Sequence, residues 1–244
     1  MIRAIVTGHS RGLGAAIAEN LLQRGVAVLG LARRPNDALG ERFSSSLAQH
    51  AIDLADSAVL AAWIAGGELA RFAAGSKTLL LVNDAGTLQP VGPLRLQDAA
   101  AIAGAVALNV AAPLMLAAAV AALPDVGERR VLHVSSGAAR KPYAGWSVYC
   151  ATKAALDHHA RAVQVDDGAG LRICSAAPGV LDTDMQATVR ACTLEQFPLR
   201  DQFAAMQQAG GLTAPAAAAA RLVDYLLAED FGADPTMDLR DLPG

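Results

Sequence analysis

The stretch "VTGHSRGLGAAIA", from Val6 to Ala18, follows a short apolar run and opens a segment with helical periodicity. Its glycines, Gly8, Gly12 and Gly14, have a G-x-x-x-G-x-G spacing. Glycines in such a place allow a tight turn and a close approach of the backbone to a ligand, and the amide groups at a helix N-terminus attract anions. No Gly-Lys-Ser/Thr follows, so the stretch is not a P-loop. Its position after the first strand favours a pyrophosphate-binding turn over an ordinary glycine-rich connection.

Short apolar runs alternate with helical segments along the rest of the chain. We predict strands at Ile2–Val6, Val26–Leu31, Ala51–Asp53, Thr78–Asn83, Val131–Ser135, Arg172–Ala177 and near Met237. We predict helices at Gly12–Arg24, Ser57–Ala74, Asp98–Leu123, Ser147–Val165 and Pro215–Ala228. This alternation predicts an α/β fold: one Rossmann-type domain over residues 1–244, with a doubly wound parallel sheet of about seven strands and helices on both faces. The long, mixed segment 181–213 fits the alternation poorly and indicates a substrate loop or lid.

The composition indicates a cytosolic protein with an aliphatic core. Apolar residues make up 53% of the 244 and aromatic residues only 4%. The net charge of −3 provides no basic field for nucleic acid. The three cysteines, Cys150, Cys174 and Cys192, have no metal-ligand spacing and are expected to be reduced thiols. Met1 leads directly into a strand without a signal-peptide pattern, so we expect a cytoplasmic location.

The run from Ala99 to Leu123 is apolar and long enough to raise the question of a membrane span. Much of it is alanine, Asn109 and Pro113 interrupt it, and no basic cluster flanks it. A helix that is apolar on all sides is also typical of a large core or a subunit interface. We therefore expect a buried helix and no membrane association.

The end of the second predicted strand bears on which dinucleotide is bound. A site that prefers NAD places an acidic residue about 20 residues past the glycines. Here the chain reads "VLGLARRP", with Ala32 followed by Arg33, and the nearest acid, Asp37, lies beyond Pro35. Arg33, together with Arg11 from the glycine turn, offers paired N–H donors for a 2′-phosphate. The sequence thus favours NADP(H), with two merely solvated arginines as the alternative.

A serine, a tyrosine and a lysine in "SSGAARKPYAGWSVYCATK", from Ser135 to Lys153, have a spacing that suits proton transfer. Tyr149 and Lys153 stand four residues apart, which puts them on one helix face. A lysine ammonium beside a phenol favours the phenolate and so makes a tyrosine a proton-transfer group near neutral pH. Ser136 precedes Tyr149 by thirteen positions. Taken alone, the pair is also consistent with a tyrosine and a lysine that merely share a surface.

Several motifs resemble, in chain order, those of the classical short-chain dehydrogenase/reductase family. They are "TGHSRGLG" from Thr7, "NDAG" from Asn83, Asn109, Ser136, "YCATK" from Tyr149 and "PGVLDT" from Pro178. The resemblance covers the whole chain. Within the family it is to the sepiapterin reductase and benzil reductase branch, through "SSGAARKPYAGWSVYCATKAALD" and "APGVLDTDMQ". One departure is Asp84, where the family commonly has a second asparagine, and it changes a loop hydrogen bond near the cofactor.

The resemblance implies catalytic roles for four residues. Tyr149 donates a proton to a substrate carbonyl, and Lys153 lowers the pKa of Tyr149 and holds the nicotinamide ribose. Ser136 hydrogen-bonds the carbonyl oxygen. Asn109 positions a water that connects Lys153 to solvent.

The resemblance also implies the cofactor contacts. These positions are Gly8, Ser10, Arg11, Gly12, Leu13, Gly14, Arg33, Asp53, Leu54, Asn83, Ala85, Gly86, Pro178, Gly179, Val180 and Thr183. Asp53 and Leu54 are expected to border the adenine, and Val180 and Thr183 to face the nicotinamide amide. The stretch from Asn83 to Gly86 is expected beside the adenine ribose.

Two further residues are candidate substrate contacts alongside Ser136 and Tyr149. Trp146 lies three residues before Tyr149, where an aromatic wall of the pocket and simple packing are both open interpretations. In the sepiapterin reductase branch an aspartate just after the last strand anchors the pterin N–H groups, and the resemblance makes Asp238 its match. A solvated acid near the chain end is the alternative.

The resemblance implies an NADPH-dependent carbonyl reductase that acts on a ketone or a 1,2-dicarbonyl. A non-catalytic NADP-binding regulator is the alternative, and the intact set of Ser, Tyr, Lys and Asn argues against it. The family also implies that the helices at Asp98–Leu123 and Ser147–Val165 pair across a two-fold axis, so we expect a homodimer or homotetramer. His158 and His159 lack a third ligand at metal spacing, so no metal site is predicted, and His133 is expected to be a core residue.

Overall fold

Parallel strands form one sheet in the computed structural model, which describes residues 1–166, 168 and 170–242. The strands are β1 (Ile2–Thr7), β2 (Ala27–Ala32), β3 (Leu47–Ala51), β4 (Thr78–Asn83), β5 (Glu128–Val134), β6 (Leu171–Ala177) and β7 (Thr236–Asp238). Their order across the sheet is β3-β2-β1-β4-β5-β6-β7, and each neighbouring pair is parallel. The predicted α/β fold with a parallel sheet of seven strands is confirmed.

Helices cover both faces of the sheet. They are α1 (Gly12–Gln23), α2 (Asp37–Arg42), α3 (Ser57–Ala65), α4 (Glu68–Ala73), α5 (Ala99–Val106), α6 (Ala112–Ala121), α7 (Ser147–Val165), α8 (Asp184–Ala191), α9 (Arg200–Gln208) and α10 (Pro215–Leu227). Leu80 and Val82 of β4 pack in a core with α1 and α10. Leu79 and Leu81 of the same strand pack in a second core with α3, α4 and α6. Because side chains alternate between two buried faces, the central strands read as continuous apolar runs.

Three predicted elements differ from the structure. Strand β3 spans Leu47–Ala51 instead of Ala51–Asp53. It is an edge strand buried on one side, so it tolerates polar residues, and these made it difficult to predict from the sequence. The predicted helix Ser57–Ala74 is broken by Gly66 and Gly67 into α3 and α4. The segment 181–213 contains two helices, α8 and α9, whose apolar residues pack in a third core.

The apolar run Ala99–Ala121 is helical and forms an outer surface of the single chain. Helices α5 and α6 are joined by a π-helical turn at Ala107–Ala111. The helix is long enough and apolar enough to cross a membrane. In its most apolar 18-residue window, 28% of the residues are buried. Most of the helix is therefore not buried within the single chain, and its burial in a subunit interface stays a prediction. An apolar groove of about 430 Å³ separates it from α7, lined by residues such as Ile102, Val106 and Val148.

The strand order places a crevice beside β1. Strands β1 and β4 are neighbours, while the chain leaves β1 through α1 to reach β2 on the other side. Ligands of open parallel sheets bind at such a switch point, outside the carboxyl ends of the strands. The turns after β1, β4, β5 and β6 bring Gly8, Asp84, Ser136 and Gly179 to this edge.

Candidate active site

Helix α7 carries Tyr149 and Lys153 on the face it turns toward the sheet. Their exposed fractions are 6% and 5%, and the Lys153 Nζ lies 5.8 Å from the centre of the Tyr149 ring. The ammonium donates a hydrogen bond of 2.7 Å to the carbonyl of Val134, the last residue of β5. The lysine is thus fixed at the strand end, and the interpretation of a surface pair is wrong.

Ser136 meets Tyr149 from the turn after β5. Its Oγ accepts a hydrogen bond of 3.1 Å from the Ala138 N–H, and its hydroxyl lies close enough to the Tyr149 phenol to lower the pKa of that phenol. Two hydroxyl groups therefore converge where the strands end. A carbonyl oxygen placed between them would receive two hydrogen bonds, as an oxyanion-type site requires.

Burial is the largest influence on the protonation of this pair. It raises the pKa of Tyr149 to about 12, while the hydrogen bond with Ser136 lowers it. Burial lowers the pKa of Lys153 to about 8, while the carboxylates of Asp84 and Asp157 raise it. The expectation that Lys153 brings the pKa of Tyr149 down is wrong for the net direction, because desolvation of the phenol dominates. At neutral pH Tyr149 is a neutral phenol, which is the form that donates a proton.

Asn109 lies in the π-helical turn and clamps the loop after β4. Its Oδ1 accepts a hydrogen bond of 2.9 Å from the Thr87 N–H, and its Nδ2 donates to the Thr87 carbonyl at 2.8 Å. The same Nδ2 also donates to the Thr152 Oγ1 at 3.2 Å. Because these bonds occupy the side chain, its predicted role toward a water stays a prediction, and its observed role is to hold the loop.

Gly86 brings the loop after β4 close to both Asn109 and Lys153. A Cβ added at Gly86 would lie 3.3 Å from the Asn109 Oδ1 and 3.8 Å from the Lys153 Nζ. The neighbouring Ala85 donates its N–H to the Thr7 Oγ1 at 3.0 Å, which ties this loop to the end of β1. The Lys153 ammonium therefore lies next to the backbone of this loop, where a ribose hydroxyl held by the lysine is expected.

The glycine-rich turn has the predicted geometry. Gly8 and Gly12 have φ angles of +76° and +60°, in the left-handed region that side chains other than glycine rarely adopt. Asn36 supports the turn from behind, because its Nδ2 donates to the carbonyls of His9 and Ser10 at 3.4 and 3.3 Å. Helix α1 begins at Gly12, so its first N–H groups have no partner within the helix and point toward the edge of the crevice.

Asp84 lies beneath this turn, against Gly14. The Gly14 N–H faces its carboxylate and lowers the pKa of that group, and a Cβ added at Gly14 would lie 2.5 Å from both the Asp84 Oδ2 and the Gly8 carbonyl oxygen. Part of the residue stays exposed, yet the enclosed carboxyl has its pKa raised by burial to about 7, although the Lys153 ammonium lowers it. Leu13, between these glycines, points into the core, so its backbone is what borders the crevice.

The two arginines predicted to hold a 2′-phosphate lie at the rim. The Arg11 Nη1 is 3.0 Å from the Oδ2 of Asp184, the first residue of α8, and the two side chains are 72% and 76% exposed. An exposed pair of this kind is worth at most about 1 kcal/mol, so a phosphate competes readily for the guanidinium. Arg33 follows β2 and is exposed. Their role in cofactor choice stays a prediction.

The residues predicted beside the adenine follow β3 at the same edge. Asp53 is exposed, and its Oδ1 accepts a hydrogen bond of 3.0 Å from the Ala55 N–H. Leu54 is buried in the core shared with α3. The loop is anchored to β2 by the Ile52 N–H, which donates to the Ala32 carbonyl at 2.8 Å. Asp53 is thus available to a ligand at the rim, and the Leu54 side chain serves the core.

Asn83 ends β4 with its side chain turned inward. Its Nδ2 lies 3.5 Å from the Pro113 carbonyl and 3.1 Å from the His133 Nδ1. The His133 Nε2 lies 3.1 Å from the His159 Nδ1, and burial lowers the pKa of His133 to about 3. His133 is therefore the core histidine that was predicted. Any contact of Asn83 with a cofactor would come from its backbone.

The loop after β6 faces the glycine turn across the crevice. Its predicted cofactor residues are Pro178, Gly179, Val180 and Thr183. The Thr183 Cγ2 lies 3.8 Å from the place a Cβ would take at Gly12. The Thr213 N–H donates to the Val180 carbonyl at 2.9 Å, which closes the base of the segment 181–213. The two loops thus enclose the space where a dinucleotide is expected.

Trp146 joins the segment 181–213 to the tyrosine. Its ring stacks on Phe197 with centroids 4.5 Å apart and an interplanar angle of 13°, and Phe203 contacts it edge-on at 5.5 Å. Its other side contacts the Tyr149 ring at 5.6 Å. The buried indole packs in this cluster, and a role of Trp146 in the wall of a substrate pocket stays a prediction.

Asp238 is buried and already paired. Its carboxylate accepts hydrogen bonds from the Arg240 Nε at 2.8 Å and Nη2 at 2.7 Å, and these hydrogen bonds lower the pKa of Asp238. The Arg240 stem lies over Gly179, with Cγ and Cδ 3.9 Å from the position of an added Cβ. A substrate anchor at Asp238 stays a prediction, and it would have to share the carboxylate with Arg240.

The sequence analysis missed Asp157. This aspartate on α7 is 2% exposed and accepts hydrogen bonds from Ser135, Ser175 and Arg140. The available signal was its spacing, because it stands four residues after Lys153 and so shares its helix face.

Comparison with known proteins agrees with this geometry. Residues 3–193 match the family model described as short chain dehydrogenase. The chain is 32% identical over 235 residues to the benzil reductase ((S)-benzoin forming) of Bacillus cereus, covering 93% of this chain and 94% of that protein. It is 32% identical over 252 residues to the sepiapterin reductase of Meriones unguiculatus, covering 97% and 95%. A short-chain dehydrogenase/reductase structure from Burkholderia vietnamiensis is 50% identical, with a TM-score of 0.72, covering 99% of this chain and 98% of that one.

The fold and the match over most of the chain define the class of protein. It is an oxidoreductase that acts on CH–OH or C=O groups with a nicotinamide cofactor. More particularly, the chain belongs to the short-chain dehydrogenase family.

Proposed function

We propose that this protein is an NADPH-dependent carbonyl reductase that reduces a ketone or a 1,2-dicarbonyl to the alcohol. The observation that carries the proposal is the set formed at the sheet edge by the buried Tyr149 and Lys153 and the partly buried Ser136. A neutral phenol and an ammonium held together in a water-poor site form a proton donor whose product, the phenolate, has a cation beside it.

The crevice fits a nicotinamide dinucleotide at several points. The turn at Gly8 to Gly14 offers its backbone and the start of α1 to a pyrophosphate. Gly86 has no side chain, so the backbone of its loop lies beside the Lys153 ammonium, where a ribose would bind. Arg11 and Arg33, both exposed at the rim without an acid after β2, favour a 2′-phosphate and hence NADPH.

The residues of the chain would divide the reduction as follows. Bound in this crevice, NADPH would supply the hydride that adds to the carbonyl carbon. Ser136 would donate a hydrogen bond to the carbonyl oxygen, on which negative charge grows. Tyr149 would transfer its proton to that oxygen and complete the alcohol. Lys153 would stabilise the phenolate that remains.

The substrate class rests on the relatives and on the aromatic cluster. The relatives at 32% identity are a benzil reductase and sepiapterin reductases, whose names denote the reduction of benzil and of sepiapterin. In this chain Trp146 and Phe203 form an aromatic cluster in contact with Tyr149. Apolar walls beside a few polar groups are typical of sites for small molecules of this kind.

The test is NADPH oxidation, followed by absorbance, with purified protein and a panel of aromatic 1,2-diketones, simple ketones and pterins. We expect turnover with at least one diketone and a kcat/KM at least about tenfold higher with NADPH than with NADH, which corresponds to about 1.4 kcal/mol. Equal values with the two cofactors would refute the NADPH assignment. No turnover with any carbonyl compound, despite cofactor binding, would favour a non-catalytic protein.

We also propose that the protein is a homodimer or homotetramer. The outer surface of α5 and α6 and the groove beside α7 expose apolar side chains, including Val106 at 43%. A monomer rarely leaves such a continuous apolar surface in water. Sedimentation velocity at micromolar concentration would show a dimer or larger species, and a monomer would refute the proposal.

A further inference from the structure

Asp157 is a buried carboxylate at the centre of a side-chain network on α7. Its Oδ1 accepts hydrogen bonds from the Ser135 Oγ at 2.6 Å and the Ser175 Oγ at 2.8 Å. Its Oδ2 accepts one of 3.1 Å from the Arg140 Nε. With an exposed fraction of 2% the carboxylate is cut off from solvent, and buried charges persist only when they are paired and hydrogen-bonded in this way.

The network fastens the catalytic helix to three strands. Ser135 follows β5 directly and Ser175 belongs to β6. Arg140 reaches further, because its Nη2 donates to the carbonyl of Met237 in β7 at 2.9 Å. Ser135 is also the immediate neighbour of Ser136. The hydrogen bond from Ser135 to Asp157 therefore fixes the position of α7 relative to the turn that holds Ser136 close to Tyr149.

The same carboxylate belongs to the charge environment of Lys153. The groups around the lysine are the Asp84 carboxyl from the loop after β4, the neutral His133 of β5, and Tyr149 and Asp157 on its own helix. Two of these groups are acids, and both favour the ammonium. Arg140 faces Asp157 from the other side and offsets part of its charge.

We propose that Asp157 is a positioning residue for the reduction, which fixes Tyr149 and Lys153 against Ser136 and keeps Lys153 an ammonium. The proposal rests on the proposed function for its catalytic part. Its electrostatic part concerns the charge state of Lys153 alone and can be measured without turnover. A purely architectural Asp157 would support folding and leave that charge state unchanged.

The experiment exploits the small number of lysines. The chain has three, Lys77, Lys141 and Lys153, so ¹³C-labelled lysine gives three side-chain signals whose titration is followed by NMR. Assignment comes from the Lys153→Met variant. In the wild type we expect the Lys153 signal to titrate near pH 8, because burial lowers its pKa to about 8.

Two variants should move this titration in opposite directions. Asp157→Asn removes a neighbouring negative charge and should lower the pKa of Lys153 by about one unit. Arg140→Gln removes a positive charge and should raise it by a smaller amount. The alkaline limb of the kcat profile should move in the same directions. At neutral pH Asp157→Asn should lower kcat about tenfold with NADPH affinity within about twofold of wild type.

Control variants separate positioning from stability. Ser175→Ala keeps the charge and removes one hydrogen bond, so it should lower the melting temperature and leave the titration of Lys153 in place. Arg130→Met removes a buried network far from the site, where Arg130 donates to the carbonyls of Leu226 and Ala228 at 2.8 and 2.7 Å. It should likewise cost stability and leave the pH profile unchanged.

The outcomes are distinguishable. If Asp157→Asn lowers only the melting temperature, with Lys153 and the pH profile unmoved, the inference is overturned. If Asp157→Asn does not fold, Arg140→Gln at the half-exposed Arg140 provides the test. An unchanged pKa of Lys153 in that variant overturns the electrostatic role. If the wild type reduces no carbonyl compound, the proposed function fails, while the lysine titrations still test the charge state.

Discussion

The β1–β4 side of the crevice consists mainly of backbone groups, whereas the β6–β7 side depends on large side chains. On the first side the backbone forms the surface, in the turn from Gly8 to Gly14 and in the loop at Gly86. At Gly8 and Gly14 a side chain would collide with neighbouring atoms. On the second side packed large side chains support the surface from behind. Trp146, Phe197 and Phe203 pack together, and Arg240 pairs with Asp238 over Gly179.

This difference corresponds to two kinds of recognition. A surface of amide groups and a helix end suits a ligand with a constant pyrophosphate. A surface of side chains can be changed without moving the backbone, so it suits the variable partner, the substrate. Helix α7 lies between the two sides and carries Tyr149 and Lys153, so both ligands meet at the same pair of residues.

The largest effect is expected at that meeting point. Tyr149→Phe removes the proton donor and keeps the ring that packs on Trp146. We expect kcat to fall by roughly 10²–10⁴, the usual contribution of a positioned general acid, with NADPH affinity close to wild type. Stopped-flow single turnovers and a fluorescence titration with NADPH measure the two quantities. Near-normal turnover would remove Tyr149 from the mechanism.

A pair of glycine variants tests the two sides separately. Gly14→Ala would force its Cβ to within 2.5 Å of the Gly8 carbonyl oxygen, so the turn must shift. We expect NADPH affinity to fall about 100-fold, as for an ångström-scale misplacement. Gly145→Ala would place its Cβ 2.2 Å from the Gln196 carbonyl oxygen at a φ of +84°, which displaces the segment 181–213 from Trp146.

The two glycine variants serve as controls for each other. Gly145→Ala should raise the KM of the carbonyl substrate about tenfold, since the left-handed strain alone is worth about 1–2 kcal/mol, and it should leave NADPH affinity near wild type. Isothermal titration with NADPH and steady-state kinetics give both values for each variant. If both variants weakened the same ligand, the division of the crevice into two sides would be wrong.

The backbone-built side was the part most open to prediction from sequence. Glycine spacing identifies the turn because the left-handed φ at Gly8 and Gly12 is a local requirement. The partners of Asp157 and Asp238 are set by contacts between residues far apart in the chain or by the exact turn that follows β7. No local pattern encodes the partners of Asp157, and the pair of Asp238 and Arg240, although only two residues apart, depends on that turn. The same holds for α8 and α9, because their apolar residues pack against Trp146, which is distant in the sequence.

Asp84 provides a smaller, pH-dependent test of the backbone-built side. Burial raises the pKa of Asp84 to about 7 from the ordinary 3.8, so the folded state binds its proton more tightly than the unfolded state. The stability contributed by this group is present below about pH 4 and is lost as the pH rises through about 7. Asp84→Asn can still accept the Gly14 N–H and carries no charge to desolvate.

The variant should therefore be more stable than the wild type by about 1–2 kcal/mol at pH 8 and no more stable at pH 4. The gain is reduced because Lys153 loses an attractive neighbour. Urea unfolding at the two pH values measures it. A gain of equal size at both would mean that desolvation of the carboxylate is not its cause.

The smallest expected effect lies where the two sides touch, at the exposed pair of Arg11 and Asp184. Arg11→Ala and Asp184→Asn each remove the same ion pair, and each should change the free energy of unfolding by less than about 1 kcal/mol. They should differ in ligand binding. If Arg11 contacts a 2′-phosphate, Arg11→Ala weakens NADPH about fivefold and leaves NADH unchanged, since one exposed charged contact is worth about 1 kcal/mol. Asp184→Asn releases the guanidinium from its competitor, so NADPH should bind as well as in the wild type or slightly better. Equal losses of NADPH affinity in the two variants would show that the bridge between the sides matters, and that Arg11 does not read the phosphate.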